Sequence, residues 1–328
     1  MDIIAQIRYK AGLQKKRIAL CETDDIRTVK AAAFLADNDL ARVILVGSEK
    51  AIRQKASSES VVLPNSIEFV KIEKGETLGR YAALLHEKRK HKGMTPEQAE
   101  EVAAQPLYFT ALMVASGDAD GAVAGAVNTT GDVLRAAIQG IGLKEGSGIV
   151  SSIFLMSTMD GHVLTFGDCA VVPYPDENQL ASIAVDSAAT HEALTGQSVS
   201  VAMLSFSTRG SAQHERSQMV AQATALAKER QPELNIDGEL QFDAAYVASV
   251  AKSKAPDSTV AGKANVYVFP NLDAANIGYK ITERLAGATA TGPVIQGLAR
   301  PMNDLSRGCN WEDIVNTACV TALMAADQ

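Results

Sequence analysis

The stretch 199–230 reads VSVAMLSFSTRGSAQHERSQMVAQATALAKER. Its first part, 199–206, is a short apolar run with β-branched residues, which predicts a β-strand. A polar turn that contains glycine follows, and in 212–230 Ala, Leu and Val recur at helical spacing among charged and polar residues. A strand that leads directly into a helix is the building unit of a mostly parallel sheet covered by helices. The stretch therefore predicts an α/β fold.

The same alternation extends along the rest of the chain, with one exception. Further strands are predicted at 17–20, 42–46, 121–127, 149–156, 163–166, 265–269 and 293–296, and the clearest other helices at 76–92, 176–194 and 273–286. The exception is the pair 149–156 and 163–166, which a polar Asp160-Gly161 turn joins into a predicted β-hairpin. A glycine-rich turn at 144–148 precedes the hairpin, so we expect a second domain to begin near residue 145.

Composition excludes several classes of protein. The 328 residues include 31 Lys and Arg against 38 Asp and Glu, a net charge of −7, and 47% are hydrophobic. This excludes a disordered chain and argues against nucleic-acid binding, which needs a broad basic face. No segment reaches the roughly 18 uninterrupted apolar residues of a membrane span, and the first residues lack the apolar core of a signal peptide. Four cysteines without a CxxC pair and five histidines without an HExxH motif disfavour a structural zinc site. We therefore expect a cytoplasmic protein that holds no metal.

Three predicted strand-to-helix junctions combine small hydroxyl, amide and glycine residues with a nearby arginine. Free backbone N–H groups and the helix dipole favour an anion at such a junction, and glycine allows close approach. The candidate anion ligands are Asn128, Thr129, Thr130, Arg135, Ser207, Thr208, Ser306 and Arg307. In the alternative interpretation, these residues only cap helices and form turns. The junctions contain neither a Walker A nor a GxGxxG pattern, so those nucleotide-binding loops are not indicated.

The helix after the third junction carries Asp313 away from its apolar stripe. Asp313 is the third helical residue after Asn310, a position where an acid can close a capping box. Alternatively, its carboxylate, the Ser306 hydroxyl and the Arg307 guanidinium converge on one small site. Cys309 lies among them as either a nucleophile or an inert small residue, and we prefer the inert interpretation because the sequence shows no base partner for it.

Several segments together resemble the phosphate acetyltransferase (phosphotransacetylase) family, part of the phosphate acetyl/butyryltransferase group. They occur in the family's order at 87–94, 205–212, 237–245, 263–266, 272–280 and 292–309. The resemblance implies an acyltransferase that interconverts acetyl phosphate and CoA with acetyl-CoA and phosphate. It also implies two α/β domains with a cleft between them, similar to the isocitrate/isopropylmalate dehydrogenase architecture. The first domain would comprise residues 1–145 and 296–328 and carry most catalytic residues, and the second would comprise 146–295.

The resemblance also suggests roles for individual residues. Asp313 matches the family's catalytic aspartate, and we expect it to take the proton of the CoA thiol. Arg307 would stabilise the developing oxyanion and the leaving phosphate. Ser306 would orient the thiol or donate to the oxyanion. Arg135 and Arg89 match family arginines of the substrate cleft, although Arg89 also fits a solvated helix end.

The mechanism that we expect is direct attack of the CoA thiolate on acyl phosphate in a ternary complex, without an acyl-enzyme, a metal or a tightly bound cofactor. CoA is then a substrate, and the family implies a homodimer that serves acetate metabolism. One alternative is a phosphate butyryl- or propionyltransferase of the same family. Two others are a metal- and NAD(P)-dependent hydroxy-acid dehydrogenase on a similar fold and a non-catalytic CoA-binding module.

Overall fold

The computed structural model of the protein describes residues 3–326. Two compact units divide the chain between them. The described part of residues 1–145 and 298–328 forms unit 1, and residues 146–297 form unit 2. The chain therefore leaves unit 1, completes unit 2 and returns to unit 1. The sequence prediction places this return at residue 296, whereas unit 2 ends at Gly297.

Strands and helices alternate through most of the chain. The strands are β1 (Arg17–Leu20), β2 (Arg42–Val46), β3 (Glu68–Val70), β4 (Gly121–Ala124), β5 (Ser151–Ser157), β6 (Val163–Gly167), β7 (Val201–Leu204), β8 (Ile236–Leu240), β9 (Val266–Val268), β10 (Thr289–Gln296) and β11 (Met302–Asp304). The helices are α1 (Ile3–Gln14), α2 (Ile26–Asp37), α3 (Glu49–Ser58), α4 (Glu76–Arg89), α5 (Pro96–Ala103), α6 (Pro106–Ala115), α7 (Thr130–Gly140), α8 (Glu177–Thr195), α9 (Glu215–Arg230), α10 (Phe242–Tyr246), α11 (Ala248–Lys254), α12 (Leu272–Ala286) and α13 (Trp311–Met324), with a 3₁₀ turn at Lys90–Lys92. Within residues 3–326, no helix is both long and apolar enough to cross a membrane.

Unit 1 is built on a parallel sheet. Its strand order is β11-β4-β1-β2-β3, and every neighbouring pair is parallel. The strands β1, β2 and β4 are almost continuously apolar and buried, which is typical of parallel strands with helices on both faces. Helices α6 and α13 both pack on β4. The returning segment thus places β11, from near the end of the chain, beside β4 from its middle.

Unit 2 is built on a mixed sheet. Its strand order is β10-β5-β6-β9-β7-β8. The pairs from β6 to β8 are parallel, whereas β5 pairs antiparallel with both β6 and β10. The antiparallel pair of β5 and β6 confirms the predicted hairpin. Buried side chains of α8 and α9 cover one face of the parallel strands.

The α/β fold class is confirmed, but three strands were not predicted from the sequence. β3 and β11 have three residues each, and β8 (IDGEL) contains two acidic residues and a glycine. The predicted strand 121–127 ends at Ala124, because Gly125 turns the chain with a φ of +103°. The predicted strand 293–296 begins earlier, at Thr289. The cleft between the two domains stays a prediction.

Candidate active site

The carboxyl ends of β1, β4 and β11 lie side by side at one edge of the unit 1 sheet. Glu22 follows β1, the loop 125–129 follows β4, and the loop 305–310 follows β11. Since the three strands are parallel, all three connections leave the sheet at this edge, where open α/β sheets bind ligands. Two of the three predicted junctions therefore meet here. The third, 205–211, lies in unit 2.

The loop after β11 presents two predicted catalytic side chains to solvent. Ser306 and Arg307 are both exposed. The Oγ atom of Ser306 accepts a long hydrogen bond of 3.3 Å from the backbone N–H of Gly308. Within residues 3–326, the guanidinium of Arg307 has no hydrogen-bond or ion-pair partner. A permanently charged, forked donor beside an exposed hydroxyl is suited to binding an anion.

Asp313 fills the capping position that its sequence context indicates. The backbone N–H of Asp313 donates to Oδ1 of Asn310 (2.8 Å), and the backbone N–H of Asn310 donates to Oδ2 of Asp313 (2.9 Å). The side chain is exposed. In the described part of the chain, its second oxygen, Oδ1, has no partner. The cap therefore fixes the carboxylate while leaving one oxygen available for chemistry.

Glu22, which the sequence analysis did not single out, organises the loop after β4. Its side chain is buried. One carboxylate oxygen, Oε2, accepts from the backbone N–H of Ala126 (2.8 Å). The other, Oε1, accepts from the backbone N–H groups of Val127 (3.1 Å) and Asn128 (2.8 Å) and from the amide Nδ2 of Asn128 (2.7 Å). The predicted ligand Asn128 thus uses its side chain to hold its own loop.

The next two predicted ligands secure the start of α7. Thr129 is the N-cap, and its Oγ1 accepts from the backbone N–H of Asp132 at 3.2 Å. Oγ1 of Thr130 donates to Oδ2 of Asp304 at 2.6 Å, which ties α7 to the end of β11. Both threonines are exposed at residue level, so their loop faces solvent. The two junctions are therefore physically joined.

Asp304 is a buried carboxyl beneath these loops. Burial raises its pKa to about 6, with a smaller rise from Glu22, while the Thr130 hydrogen bond opposes the change. Its Oδ1 atom is buried and has no hydrogen-bond partner among residues 3–326. A Cβ atom at position 125 would lie 2.2 Å from this Oδ1, so only glycine allows β4 and β11 to end this close together.

Arg27, near the start of α2, was also missed. Its Nη1 atom donates to the carbonyl oxygens of Arg307 (2.9 Å) and Cys309 (2.7 Å), and Nη2 donates to the carbonyl oxygen of Ala126 (2.7 Å). It also pairs with Asp25 at 2.7 Å. The run CETDDIR at 21–27, directly after a predicted strand, was the signal of a fourth polar junction.

The two remaining predicted arginines lie on unit 1 helices. Arg135, on α7, is exposed and pairs with Asp132 at 2.7 Å. Arg89 ends α4 and is half-buried, and its buried Nε atom has no hydrogen-bond partner within the described residues. Both positive charges oppose the burial that raises the pKa of Tyr108, so both lie near that phenol. The structure thus brings Arg89 and Arg135 to a common neighbour.

Ser207 and Thr208 lie in unit 2 with buried hydroxyls. Oγ of Ser207 donates to Oε1 of Glu239 (2.8 Å) and accepts from the backbone N–H of Ala212 (3.1 Å). Oγ1 of Thr208 accepts from the backbone N–H of Gln241 (2.9 Å). Their part in substrate binding stays a prediction, and any such part would come through the backbone of their loop.

Cys309 is buried beside Arg27, and its thiol lies 3.7 Å from Nη1. Burial raises the pKa of this thiol, while the charge of Arg27 lowers it less. A raised pKa keeps the group as a thiol, which is the unreactive form. The geometry thus favours the inert interpretation. Among residues 3–326, no three His, Cys, Asp or Glu side chains are grouped in a way that could hold a metal ion.

Comparison with known proteins places this chain in a family. The family model described as "Phosphate acetyl/butaryl transferase" matches residues 2–322. The chain belongs to this family. The phosphate acetyltransferase of Acetivibrio thermocellus is 49% identical over 99% of this chain and 98% of its own length. A solved structure of this family, the EutD phosphotransacetylase of Staphylococcus aureus, superposes with a TM-score of 0.92 and 42% identity, covering 99% of this chain and 98% of its own.

A more distant structure extends the comparison to the fold alone. A Salmonella typhimurium structure described as a 4-hydroxythreonine-4-phosphate dehydrogenase has a TM-score of 0.56 at 11% identity and covers 94% of this chain and 99% of its own. The predicted dehydrogenase-like architecture is therefore confirmed. Membership in the phosphate acetyl/butaryl transferase family likewise confirms that the chain is an acyltransferase.

Proposed function

We propose that the protein catalyses reversible acetyl transfer between acetyl phosphate and CoA by direct attack of the CoA thiolate on the bound acyl phosphate. The observation that supports this best is the exposure of Ser306, Arg307 and Asp313 at the carboxyl edge of one parallel sheet. Curated relatives at 46–49% identity, matched over almost their whole length, are named phosphate acetyltransferases. In the proposed reaction both substrates are bound together and no acyl-enzyme forms.

Asp313 is the proposed general base. A free thiol has a pKa of about 8.5, so only roughly a few per cent of CoA is thiolate at neutral pH. Oδ1 of Asp313, which the capping box leaves unused, takes the S–H proton while the S–C bond forms. The C–O bond to phosphate then breaks, and its electron pair leaves with the phosphate. In the reverse direction the protonated carboxyl returns the proton to CoA sulfur.

Arg307 and Ser306 are the proposed stabilisers of the transition state. Negative charge grows on the acetyl carbonyl oxygen and on the departing phosphate. The guanidinium of Arg307 can donate to both, and it is always charged. The exposed Ser306 hydroxyl either donates to the carbonyl oxygen or orients the thiol. Because Arg307 has no ion pair within residues 3–326, substrate does not compete with a carboxylate of that part of the chain for it.

Further residues are proposed to bind the substrates. Arg135 and Arg89 bind phosphate groups of acyl phosphate or CoA, since guanidinium groups match phosphate geometry. The remaining members of the proposed set are Asn128, Thr129, Thr130, Ser207 and Thr208. CoA is a substrate, and no tightly bound cofactor or metal takes part. These arginines make the site locally positive although the chain carries a net charge of −7.

The protein is further proposed to be a cytoplasmic homodimer. Its four cysteines are all free, which fits a reducing compartment. On α12, Ile277, Ile281 and Leu285 are 58%, 53% and 84% exposed at successive four-residue spacings, so they form an apolar stripe of the kind that subunit interfaces cover. Light scattering after size exclusion tests the dimer. Ile281→Glu should convert it to monomer, whereas the exposed-site variant Lys252→Glu should not.

The decisive experiment measures thioester formation from acyl phosphate and CoA. Asp313→Asn keeps an oxygen that can accept from the Asn310 N–H, so the helix cap survives while the base is lost. Turnover should fall by roughly 10²- to 10⁴-fold at neutral pH. Full turnover of this variant, or a kinetically competent acetyl adduct on Cys309, would disprove the proposed mechanism.

The same assay tests which acyl chain the enzyme prefers and whether the reaction needs a metal ion. Acetyl phosphate should exceed propionyl and butyryl phosphate in kcat/KM, although each methylene changes discrimination by only about 10- to 200-fold. A preference for butyryl phosphate would favour the butyryltransferase alternative. Added magnesium and added chelator should both leave the rate unchanged, and a rate that chelator abolishes would contradict the metal-free proposal.

A further inference from the structure

Arg27 makes an unusual set of contacts for an arginine beside an anion site. Its two terminal nitrogens donate to three backbone carbonyls, those of Ala126, Arg307 and Cys309, at 2.7–2.9 Å. Its Nε and Nη2 atoms donate to the carboxylate of Asp25 at 3.0 and 2.7 Å. The guanidinium is thus committed to protein groups, and its charge is balanced by an adjacent acid. The hydrogen-bond donors of Arg27 are therefore used by protein groups, whereas those of Arg307 face solvent.

Glu22 holds the same loop by accepting hydrogen bonds from its backbone N–H groups. It accepts the backbone N–H groups of Ala126, Val127 and Asn128, while Arg27 donates to the carbonyl of Ala126. The short segment after β4 is therefore held by both its donors and its acceptor. Glu22 comes from the connection between β1 and α2 and Arg27 from the first turn of α2, so both come from one short stretch at the same sheet edge.

The hydrogen bond from Arg27 to the carbonyl of Arg307 connects Arg27 to a proposed catalytic residue. The Arg307 side chain is exposed and its guanidinium has no partner among the described residues, so its position depends on the backbone that carries it. Arg27 fixes that backbone on both sides of Gly308, through the carbonyls of Arg307 and Cys309. A displacement of about 1 Å at a reacting group can lower a rate roughly 100-fold.

We propose that Glu22 and Arg27 are positioning residues that lock the Asn128 loop and the Arg307 loop into one rigid anion-binding unit. The pair acts through backbone contacts and does not touch the substrate. This inference rests on the proposed acyl transfer, because it assigns the pair to the same site. It predicts that disturbing the pair lowers the rate of the chemical step and leaves substrate affinity largely intact.

The test is kinetic and uses the full chain. Arg27→Ala should lower kcat by about 100-fold, with the KM for CoA and acetyl phosphate changed less than about threefold. Guanidinium chloride, far below denaturing concentrations, should restore part of the rate by filling the vacated space, whereas sodium chloride at equal ionic strength should not. Arg53→Ala, which removes a partly exposed arginine of unit 1 paired with Glu49, is the matched control and should behave like the wild type.

Two further variants keep the inference testable if Arg27→Ala does not fold. Arg27→Lys keeps the charge but cannot reach three carbonyls at once, so kcat should fall with KM preserved. Glu22→Gln turns an N–H₂ group toward backbone N–H donors and should have the same kinetic pattern.

Three outcomes would overturn the inference while wild-type protein stays active. One is unchanged kcat in both conservative variants, and another is a rise in KM for acetyl phosphate at constant kcat, which means direct substrate contact. The third is loss of thermal stability without any guanidinium rescue, which means a purely structural role. An inactive wild-type protein, by contrast, would refute the proposed function itself.

Discussion

The loop after β11 in unit 1 and the loop after β7 in unit 2 have nearly the same composition but opposite organisation. Each contains serine, arginine and glycine in consecutive positions or close to them. In unit 1, Ser306 and Arg307 are exposed, and the guanidinium has no partner within residues 3–326. In unit 2, Ser207 is fully buried and Arg209 donates to Oδ2 of the buried Asp237 at 2.5 Å.

The difference lies in what the neighbouring acid binds. In unit 1, the buried Glu22 accepts from residues of the loop after β4, and within residues 3–326 no carboxylate pairs with the Ser306 hydroxyl or the Arg307 guanidinium, so both face solvent. In unit 2, Glu239 accepts the Ser207 hydroxyl at 2.8 Å and the backbone N–H of Gly210 at 2.7 Å, which draws the hydroxyl inward. The two junctions thus differ in whether a buried carboxylate takes up their polar side chains, although their composition is nearly the same.

The largest expected effect is a difference between Arg307 and Arg209, since the first variant should lose activity and the second should lose stability. Arg307→Ala should lower kcat by roughly 10²- to 10³-fold, because a charged donor to the transition state is lost. Its thermal midpoint should match the wild type, since the side chain is exposed and has no partner in the described part of the chain. Arg209→Ala should instead destabilise the protein by up to about 3 kcal/mol, because buried Asp237 loses its nearer cation and keeps the Ser258 hydroxyl, the Gly238 N–H and the more distant Lys228 at 3.5 Å. Thioester assays measure the activity of both variants, and thermal unfolding measures their stability. If only Arg209→Ala lost activity, the proposed difference between the two arginines would be wrong.

The next effect concerns Asp304, the buried acid of the unit 1 site. Its folded pKa of about 6 lies above the unfolded value of about 3.9, so the folded state binds the proton more tightly. Stability from this group is therefore fully present below pH 4 and is lost as pH rises through about 6. The difference amounts to roughly 3 kcal/mol.

Asp304→Asn removes this pH dependence. Relative to the wild type, the variant should gain thermal stability on going from pH 4 to pH 7. Unfolding curves at both pH values measure the gain, with the exposed-site variant Asp257→Asn as control. An equal difference from the wild type at both pH values would show that Asp304 does not titrate in this range.

A smaller effect tests the two serines against each other. Ser207→Ala leaves the Ala212 N–H without its acceptor and removes one donor to Glu239, so stability should fall by about 1–3 kcal/mol. Ser306→Ala should change stability by less than about 0.5 kcal/mol, as is usual for exposed sites, but lower kcat about tenfold. A rise in KM for Ser207→Ala, measured where the variant is fully folded, would instead support the direct substrate contact that the sequence predicts.

The smallest effect is at the helix cap beside the site. Thr129→Ala should destabilise the protein by about 1 kcal/mol through loss of the acceptor for the Asp132 N–H. Thr129→Ser retains that oxygen and should restore stability. If Thr129→Ser restores stability but not activity, the threonine methyl group contributes to substrate binding.

Local patterns in the sequence were sufficient for part of the site. Asp313 follows an Asn N-cap by three residues, and the capping box that this spacing predicts is present. The strands β1 and β2 end where the apolar runs end, at Leu20 and Val46. These features depend on residues that are neighbours along the chain, so a single sequence is enough to predict them.

The roles of Glu22 and Arg27 could not be predicted in the same way. Their contacts exist because β1 lies next to β4 and β4 next to β11, and no local pattern specifies that strand order. The inward turn of Ser207 depends on Glu239 of β8, a strand whose acidic residues and glycine concealed it in the sequence. Contacts between segments that are distant in the sequence thus account for the features of the site that the sequence did not predict.

The return of the chain to unit 1 also bears on how the protein is made. Unit 2 is one continuous segment, residues 146–297, and every residue that it needs has been synthesised before β11. Until β11 and α13 emerge from the ribosome, the β4 strand has no partner on one side, and neither Arg307 nor Asp313 is present. Because domains of nascent chains fold as units in the order of synthesis, the proposed catalytic edge is completed last. A chain interrupted shortly before residue 302 would contain all of unit 2 and still lack the groups that we propose to perform the reaction.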